Sequence, residues 1–575
     1  MLIENIMEHK SENKICQNCH KNFTIESEDF NFYEKINVPA PTWCPECRMT
    51  RRLAFNNTWS IFWRNCDKCG VRTLSEYPAE KKFTVYCQKC WWGDGWDGTE
   101  YGMGYDPGRP FFEQLKELMG RTPWVALESQ YTSLKNSEYS NSIAWSKNSY
   151  LVFWADYCEN VFYSSILNGL KWSSDCMRGW NSELCYGSIG FTNNYRTFFS
   201  DQCDSCVDVW FSRNCYGCTN CIGCVNLRNA SHCIFNEKYS KEEYEKKMGD
   251  LELDSWAGLQ KLEKKAKDFS LRKPYREYNG DSFNMNVSGD HIYWSRNTKE
   301  GYIVNNAENS KWCQLITVQD TKDCYDYTGW GNGAQLIYEC SNVGENAGSS
   351  KFSCLCFPDA LNLEYCMWNI AGKNNFGCVN LKRKKYCILN KEYSKEEFET
   401  LKAQIVADMK KNPQKDDKER VWSYGEFFPL SLCPFPYNHS NAIKFVPKDK
   451  AQALKEGYGW ADMELPVHKI TLQVSLLPDK IKDTEDNILN EVIGCDECKR
   501  GYKIVKGELD LLRKMNLPVP HKCPKCRENE RFDRMTKPRM YHRQCDKCKT
   551  KIYTPYAPQD PRIVYCVQCY QAEFL

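Results

Sequence analysis

The sequence predicts a mostly β protein, with small α+β zinc modules of treble-clef and zinc-ribbon type paired at both ends. Between them it predicts a duplicated parallel β-solenoid with capping helices. Three observations lead there. Cysteines near the two ends share one spacing. A segment in the middle, residues 223–247, recurs 154 residues later as 377–401. Upstream of each copy, short Tyr, Trp, Val and Ile clusters are broken by Asn, Ser, Asp and Gly.

The cysteines come first because they bound the chemistry. Of 35 cysteines, sixteen fall into eight C-x2-C pairs in the terminal regions. One set is Cys16/Cys19, Cys44/Cys47, Cys66/Cys69 and Cys87/Cys90. The other is Cys495/Cys498, Cys523/Cys526, Cys545/Cys548 and Cys566/Cys569. The gaps between pairs are 24, 18 and 17 residues in both sets, the mark of an internal duplication. Flanks agree as well: VPAPTWCPECR matches LPVPHKCPKCR, and TVYCQKC matches IVYCVQC. Two thiolates on one tight turn suit a tetrahedral metal, and four without an open position suit structural Zn2+. Four zinc ions are therefore expected, with ligands paired in sequential or interleaved fashion. The first quartet of each module reads as a knuckle, a strand-rich spacer and two ligands opening a helix. The second reads as a ribbon with both pairs on turns.

The stretch from CQNC at Cys16 through FYEKINVPAPTWCPECR resembles the zinc-ribbon or treble-clef modules of bacterial Cys-rich proteins. The wider chain resembles long Cys-rich proteins of candidate-phyla bacteria with reduced genomes. The segments that carry this are VYCQKCWWGDGWD, RPFFEQ, GCVNLRNASHCIFNEKYSKEEYE, YGEFFPLSLCPFPYN and IVYCVQCYQAEF. The resemblance implies metal binding and architecture, and no biochemical activity. Cys433 and His439, in and just beyond the YGEFFP segment, take no functional role from it.

In the middle of the chain, short β-prone runs with Asn and Ser turns at near-regular spacing suggest stacked rungs, with a β-sandwich as the rival. Each block ends in YSKEEYE or YSKEEFE. Ser240 with Glu243 and Ser394 with Glu397 form S-x-x-E capping boxes for helices that close the block. The run Cys215, Cys218, Cys221, Cys224 comes close to an iron–sulfur spacing, but Val225 stands where Pro would follow. Its alternative is a row of buried thiols packing as small hydrophobes. Trp91, Trp92 and Trp96 offer either a stacking surface or seam filling. A helix is expected at Pro110 to Met119, with Pro110 in its first turn.

These signals divide the chain into an N-terminal double zinc module (1–105), a first solenoid block with its capping helix (106–247) and a helical connector (248–280). A second block with its capping helix (281–403), a linker with a Pro- and aromatic-rich strap (404–490) and a C-terminal double zinc module (491–575) follow. Residues 404–420 read as solvated linker.

Composition narrows the function. A formal charge of +2, with 26% charged residues, excludes a strongly basic nucleic-acid coat. No apolar run is bilayer-length, and the first residues lack a secretory pattern, so a cytoplasmic protein with no membrane association is expected. The charge is unevenly spread. Residues 495–575 carry +8 and residues 16–90 carry +3, which leaves the remainder acidic. Arg48, Arg51 and Arg52 follow one CPxC, and Arg527, Arg531 and Arg534 follow the other. At spacings of three and four they share a helical face. Such clustering is the footprint of a nucleic-acid contact, and also of a solvated helix. The leading expectation is a non-enzymatic, nucleic-acid-associated protein whose basic zinc modules grip RNA or DNA across a solenoid spacer. The alternative is a protein-interaction scaffold. Third comes a glycan-active solenoid enzyme using carboxylates among Asp175, Asp201, Asp204, Asp323 and Asp326, for which no spacing singles out a pair.

Overall fold

The computed structural model describes residues 10–81, 83–281, 283–462 and 468–574. Residues 1–9, which form most of the stretch read for a secretory signal, lie outside the described residues. The chain forms two compact units, each assembled from distant stretches. One comprises Met1–Leu127, Tyr278–Ala461 and Lys537–Met540; the other comprises Glu128–Glu277, Asp462–Thr536 and Tyr541–Leu575. The N-terminal cysteine module thus shares a unit with the second internal block, and the C-terminal module with the first.

In the unit built on Glu128–Glu277, strands Phe153–Asp156, Ser165–Asn168, Met177–Trp180 and Ile189–Thr192 lie parallel, each twelve residues after its neighbour. A second face runs through Tyr195–Phe198, Val207–Trp210, Thr219–Ile222 and Ser231–Ile234 in the same register. Within each twelve-residue tier the backbone has a shorter period. From Ser142 to Phe235 every third residue has a positive φ near 50–70°, including Trp145, Leu151 and Ile166. Such residues ordinarily cost roughly 1–2 kcal/mol each. Main-chain hydrogen bonds between tiers hold them, for example Leu151 N–H to the Tyr139 carbonyl and Tyr163 N–H to the Tyr150 carbonyl.

The residue next to each left-handed position points inward; many are small, and Ile143, Leu167, Leu170 and Phe191 fill others. Ser164 shows why serine serves: its Oγ donates to the Phe162 carbonyl and accepts from Cys176 N–H in the next tier. That satisfies the Cys176 N–H, which would otherwise be buried unpaired, while the Phe162 carbonyl also accepts from Asp175 N–H. Asn194 does the same for Cys203 and Cys206. Cysteine fills many of the other places, and Cys203, Cys206, Cys215, Cys218, Cys221, Cys224 and Cys233 lie in one buried cluster.

The other unit repeats the plan over Gly289–Tyr293, Gly301–Asn305, Gln314–Ile316, Tyr325–Thr328, Tyr338–Val343, Cys354–Cys356, Met367–Ile370 and Val379–Lys382, all parallel. Here the register lengthens to fourteen at Gln314↔Thr328 and thirteen at Tyr325↔Tyr338, then returns to twelve at Met367↔Val379. Inserted residues therefore sit in the central tiers.

Each block closes with an antiparallel pair, Cys233↔Lys238 and Cys387↔Glu392. Helices Lys241–Asp250 and Lys395–Lys411 follow, and both S-x-x-E capping boxes form. Two local expectations need correction. Lys395–Lys411 runs through the first half of the expected 404–420 linker, because Ile405 and Met409 continue its apolar face and are buried. Pro110 is the N-cap of helix Phe111–Arg121 and not part of its first turn. The segment expected to be a strap against a neighbour buries Phe427 and Phe428 on the ring of Phe55. Among the described residues no helix is long and apolar enough to cross a membrane.

Candidate metal centres

Four groups of cysteines converge, each with all ligand sulfurs within 4.8 Å of one another. They are Cys16, Cys19, Cys44 and Cys47; Cys66, Cys69, Cys87 and Cys90; Cys495, Cys498, Cys523 and Cys526; and Cys545, Cys548, Cys566 and Cys569. The ligands are thus sequential, not interleaved.

All four are built alike. The first pair lies on the turn of a hairpin, such as Glu12–Ile15 with Asn22–Ile25 or Tyr541–Gln544 with Lys551–Thr554. The turn needs a left-handed residue just after the second cysteine, and His20, Gly70, Lys499 and Lys549 supply it. The third cysteine stands at a helix start and donates its own N–H to the first sulfur, at 3.2 Å in every case: Cys44 to Cys16, Cys87 to Cys66, Cys523 to Cys495 and Cys566 to Cys545. The fourth lies in the first helical turn, where the helix dipole favours a thiolate. The second quartets were expected to be ribbons with both pairs on turns. Instead Gln88–Trp92 and Val567–Phe574 are helices, so each module repeats one metal-site plan twice.

The sulfur spacing tests what would fit. Cys19–Cys44 and Cys498–Cys523 are 3.7 Å apart, and Cys69–Cys87, Cys495–Cys526 and Cys548–Cys566 are 3.8 Å apart. A tetrahedral ion with bonds of about 2.3 Å to sulfur needs edges of about 3.8 Å. Each donor set could hold one metal ion. Although burial pushes the other way, main-chain N–H groups lower the Cys66 thiol to about 7 and the Cys545 thiol to about 6. That readies both as thiolates.

The arginines are elsewhere than expected. Helix Pro45–Ala54 buries Arg48, Arg51 and Arg52 almost completely. Arg48 Nη2 is 2.8 Å from Asp326 and Arg52 Nη1 is 3.1 Å from the same carboxylate. Arg51 bridges Glu339 at 3.3 Å and Glu426 at 3.2 Å, with its guanidinium over the Trp43 ring at 4.4 Å. Three guanidinium groups thus meet three carboxylates. Helix Pro524–Arg534 repeats the clasp: Arg527 and Arg531 reach Asp175 at 2.5 and 2.6 Å, and Arg527 also reaches Glu508 at 2.9 Å. In both units two arginines one turn apart close on one Asp in a left-handed position, Asp326 or Asp175. Burial raises the Glu339 and Glu508 carboxyls above the ordinary range, even though neighbouring arginines oppose it. Arg534 pairs with Asp201 and is partly exposed. Five of the six arginines assigned to a nucleic-acid surface are therefore spent inside the protein, where no phosphate reaches them.

The same contacts account for the carboxylates considered for catalysis. Asp175, Asp201 and Asp326 are in ion pairs with arginine, and Asp323 lies 3.2 Å from Lys35. Asp204 is pushed up to about 6 by burial. Trp91 and Trp96 are buried and fill a seam against Trp368 and Tyr86. The run Cys215 to Cys224 is one tier: its x2 spacing is the three-residue period, and each thiol donates to the carbonyl two residues before it. These are core thiols, and no tetrad converges there.

No family model and no curated protein matches the chain. Among solved structures, one described as "putative acetyltransferase from Desulfovibrio desulfuricans G20" aligns over 50% of this chain and 86% of its own at 10% identity. Its TM-score of 0.09 carries no argument.

Proposed function

We propose that the chain is a non-enzymatic scaffold in which four structural zinc ions shape two cysteine modules, each docked on a β-solenoid of twelve-residue rungs. Zinc is supported by the all-sulfur tetrads and their edge length, and a closed tetrad leaves no position for substrate. The solenoid reading rests on the parallel register of twelve to fourteen residues and, in the first block, the three-residue period of left-handed residues. In this reading the metal modules are treble-clef-like, and the chain sits with the Cys-rich proteins of candidate-phyla bacteria. Thirty-five free cysteines suit a reducing cytoplasm.

The observation that carries the scaffold reading is the pair of Arg–Asp–Arg clasps. They turn the most basic helix faces of the modules inward, which leaves the outer walls as docking surfaces for proteins. Affinity capture of the tagged, zinc-loaded chain tests it. Partners that persist after nuclease treatment support it, and partners lost wholly to nuclease contradict it.

Association with RNA or DNA is the second reading. It draws on exposed cations at the knuckles of the C-terminal module, among them Lys499, Arg500, Lys547, Lys549 and Lys551. Those are surface charges on turns, so any such binding would weaken steeply as salt rises.

A further inference from the structure

The first tiers of the unit built on Glu128–Glu277 carry a groove of about 370 Å3 on their outer face. We propose that this groove binds a neutral oligosaccharide. Three features support this, and one wall of the groove, Val505 and Gly507, comes from the C-terminal module.

One wall is an amide ladder. Asn136 Nδ2 donates to Asn148 Oδ1 and Asn148 Nδ2 to Asn160 Oδ1, both at 3.1 Å. Such a ladder uses one N–H and one lone pair of a central amide, and each primary amide has two of both. What remains is a row of alternating donors and acceptors at the spacing of the tiers, suited to successive hydroxyl groups. The other wall is aromatic. Tyr139 and Tyr150 stand 5.5 Å apart, Tyr139 is 41% exposed, and Val505 and Gly507 close the far side. Gly507 approaches the Phe162 ring so closely that no Cβ would fit, which keeps that side narrow.

The second feature lies three residues upstream of Asn148 and Asn160, at the preceding left-handed positions. Trp145 and Tyr157 stack there with centroids 5.0 Å apart and planes within 7°, yet they are 48% and 54% exposed. Burying such rings is worth kcal/mol to a fold, so two stacked and exposed beside a groove mark a contact surface. Apolar sugar faces stack on such rings while their hydroxyls meet the amides.

Charge is the third. Glu138 is the one ionisable acid lining the groove, and no Lys or Arg lines it. Between the ladder and the stack, Lys147 and Glu159 neutralise each other at 2.8 Å. The lining itself offers a phosphate no cation and one repelling carboxylate, and the neighbouring Lys147 and Lys506 are held by Glu159 and Asp510, which disfavours a nucleic-acid strand.

The test is calorimetric titration of the full-length, zinc-loaded chain with neutral hexose, pentose and N-acetylhexosamine oligomers, each alongside its monosaccharide. An oligomer should bind more tightly than its monosaccharide and perturb tryptophan fluorescence. Trp145→Ala and Tyr139→Ala should each weaken it about tenfold or more, the scale of one lost stacking contact. Tyr216→Ala, at another exposed ring of the same block, should leave it unchanged. Zinc content and circular dichroism of the variants establish that they fold. The proposal is overturned if no oligomer binds at about 10 mM, if binding survives both substitutions, or if short single-stranded DNA takes the same site.

Discussion

Replacing Asp175 with Asn probes the clasp that joins the C-terminal metal module to its block. Asn keeps the shape and tolerates the left-handed backbone at this position, where φ is 54°. Only the charge is lost. Arg531 then keeps its 2.6 Å hydrogen bond to the Tyr163 carbonyl, and Arg527 keeps Glu508 at 2.9 Å. Two guanidinium groups would share one carboxylate out of water. Removing one partner of a buried pair costs about 3–5 kcal/mol. For a unit of this size each kcal/mol lowers Tm by about 2–4 °C, so the transition of this unit should fall by about 6–20 °C. Differential scanning calorimetry of the zinc-saturated chain reads this directly. Arg534→Ala is the control. Its pair with Asp201 is partly exposed, so about 1 kcal/mol or less is at stake. A fall of under 2 °C for Asp175→Asn, or equal falls for both variants, would refute the claim that the clasp is buried and that losing its aspartate leaves an arginine charge uncompensated.

Other outcomes follow from the same contacts. Cys66→Ser should lower bound zinc from four ions to three, read by mass spectrometry of the native chain, since the tetrads share no ligand. Cys218→Ser should leave zinc at four and cost about 1 kcal/mol, because Ser164 and Ser212 already fill inward positions with the hydrogen bonds that Cys218 makes. A larger loss, or a missing metal, would mean that this tier is more than core. Lowering the pH should release zinc from all sites with proton uptake, since only thiolates bind it; a chromogenic chelator reports the release, and retention in strong acid would contradict thiolate ligation.

The cysteine tetrads were legible because such a site is local: a pair, a fixed gap and a second pair, repeated after a long interval, leave few other arrangements. The second quartets misled because VYCQKCWW lacks the Pro that marks the helix start in CPEC and CPKC, though the helix forms there too. The clasps were not legible. A basic helix face looks the same whether it meets water or a buried acid, and Asp326 lies far along the chain from Arg48. Nothing local to the CPxC segments signals where the partner acids are. The twelve-residue period was hidden for another reason. The interior takes side chains of many kinds, with Ser, Cys, Val, Ala, Asn and Leu serving alike. The left-handed positions carry Trp, Tyr, Leu and Asn as readily as Gly, so neither the core nor the corners leave a motif to read.

Elemental analysis of the chain purified under reducing conditions bears most directly on the whole account. Four zinc ions per chain, held until a chelator or acid removes them and lost together with the fold of the terminal modules, is the predicted result. A folded chain without metal, or one carrying iron in place of zinc, would contradict it.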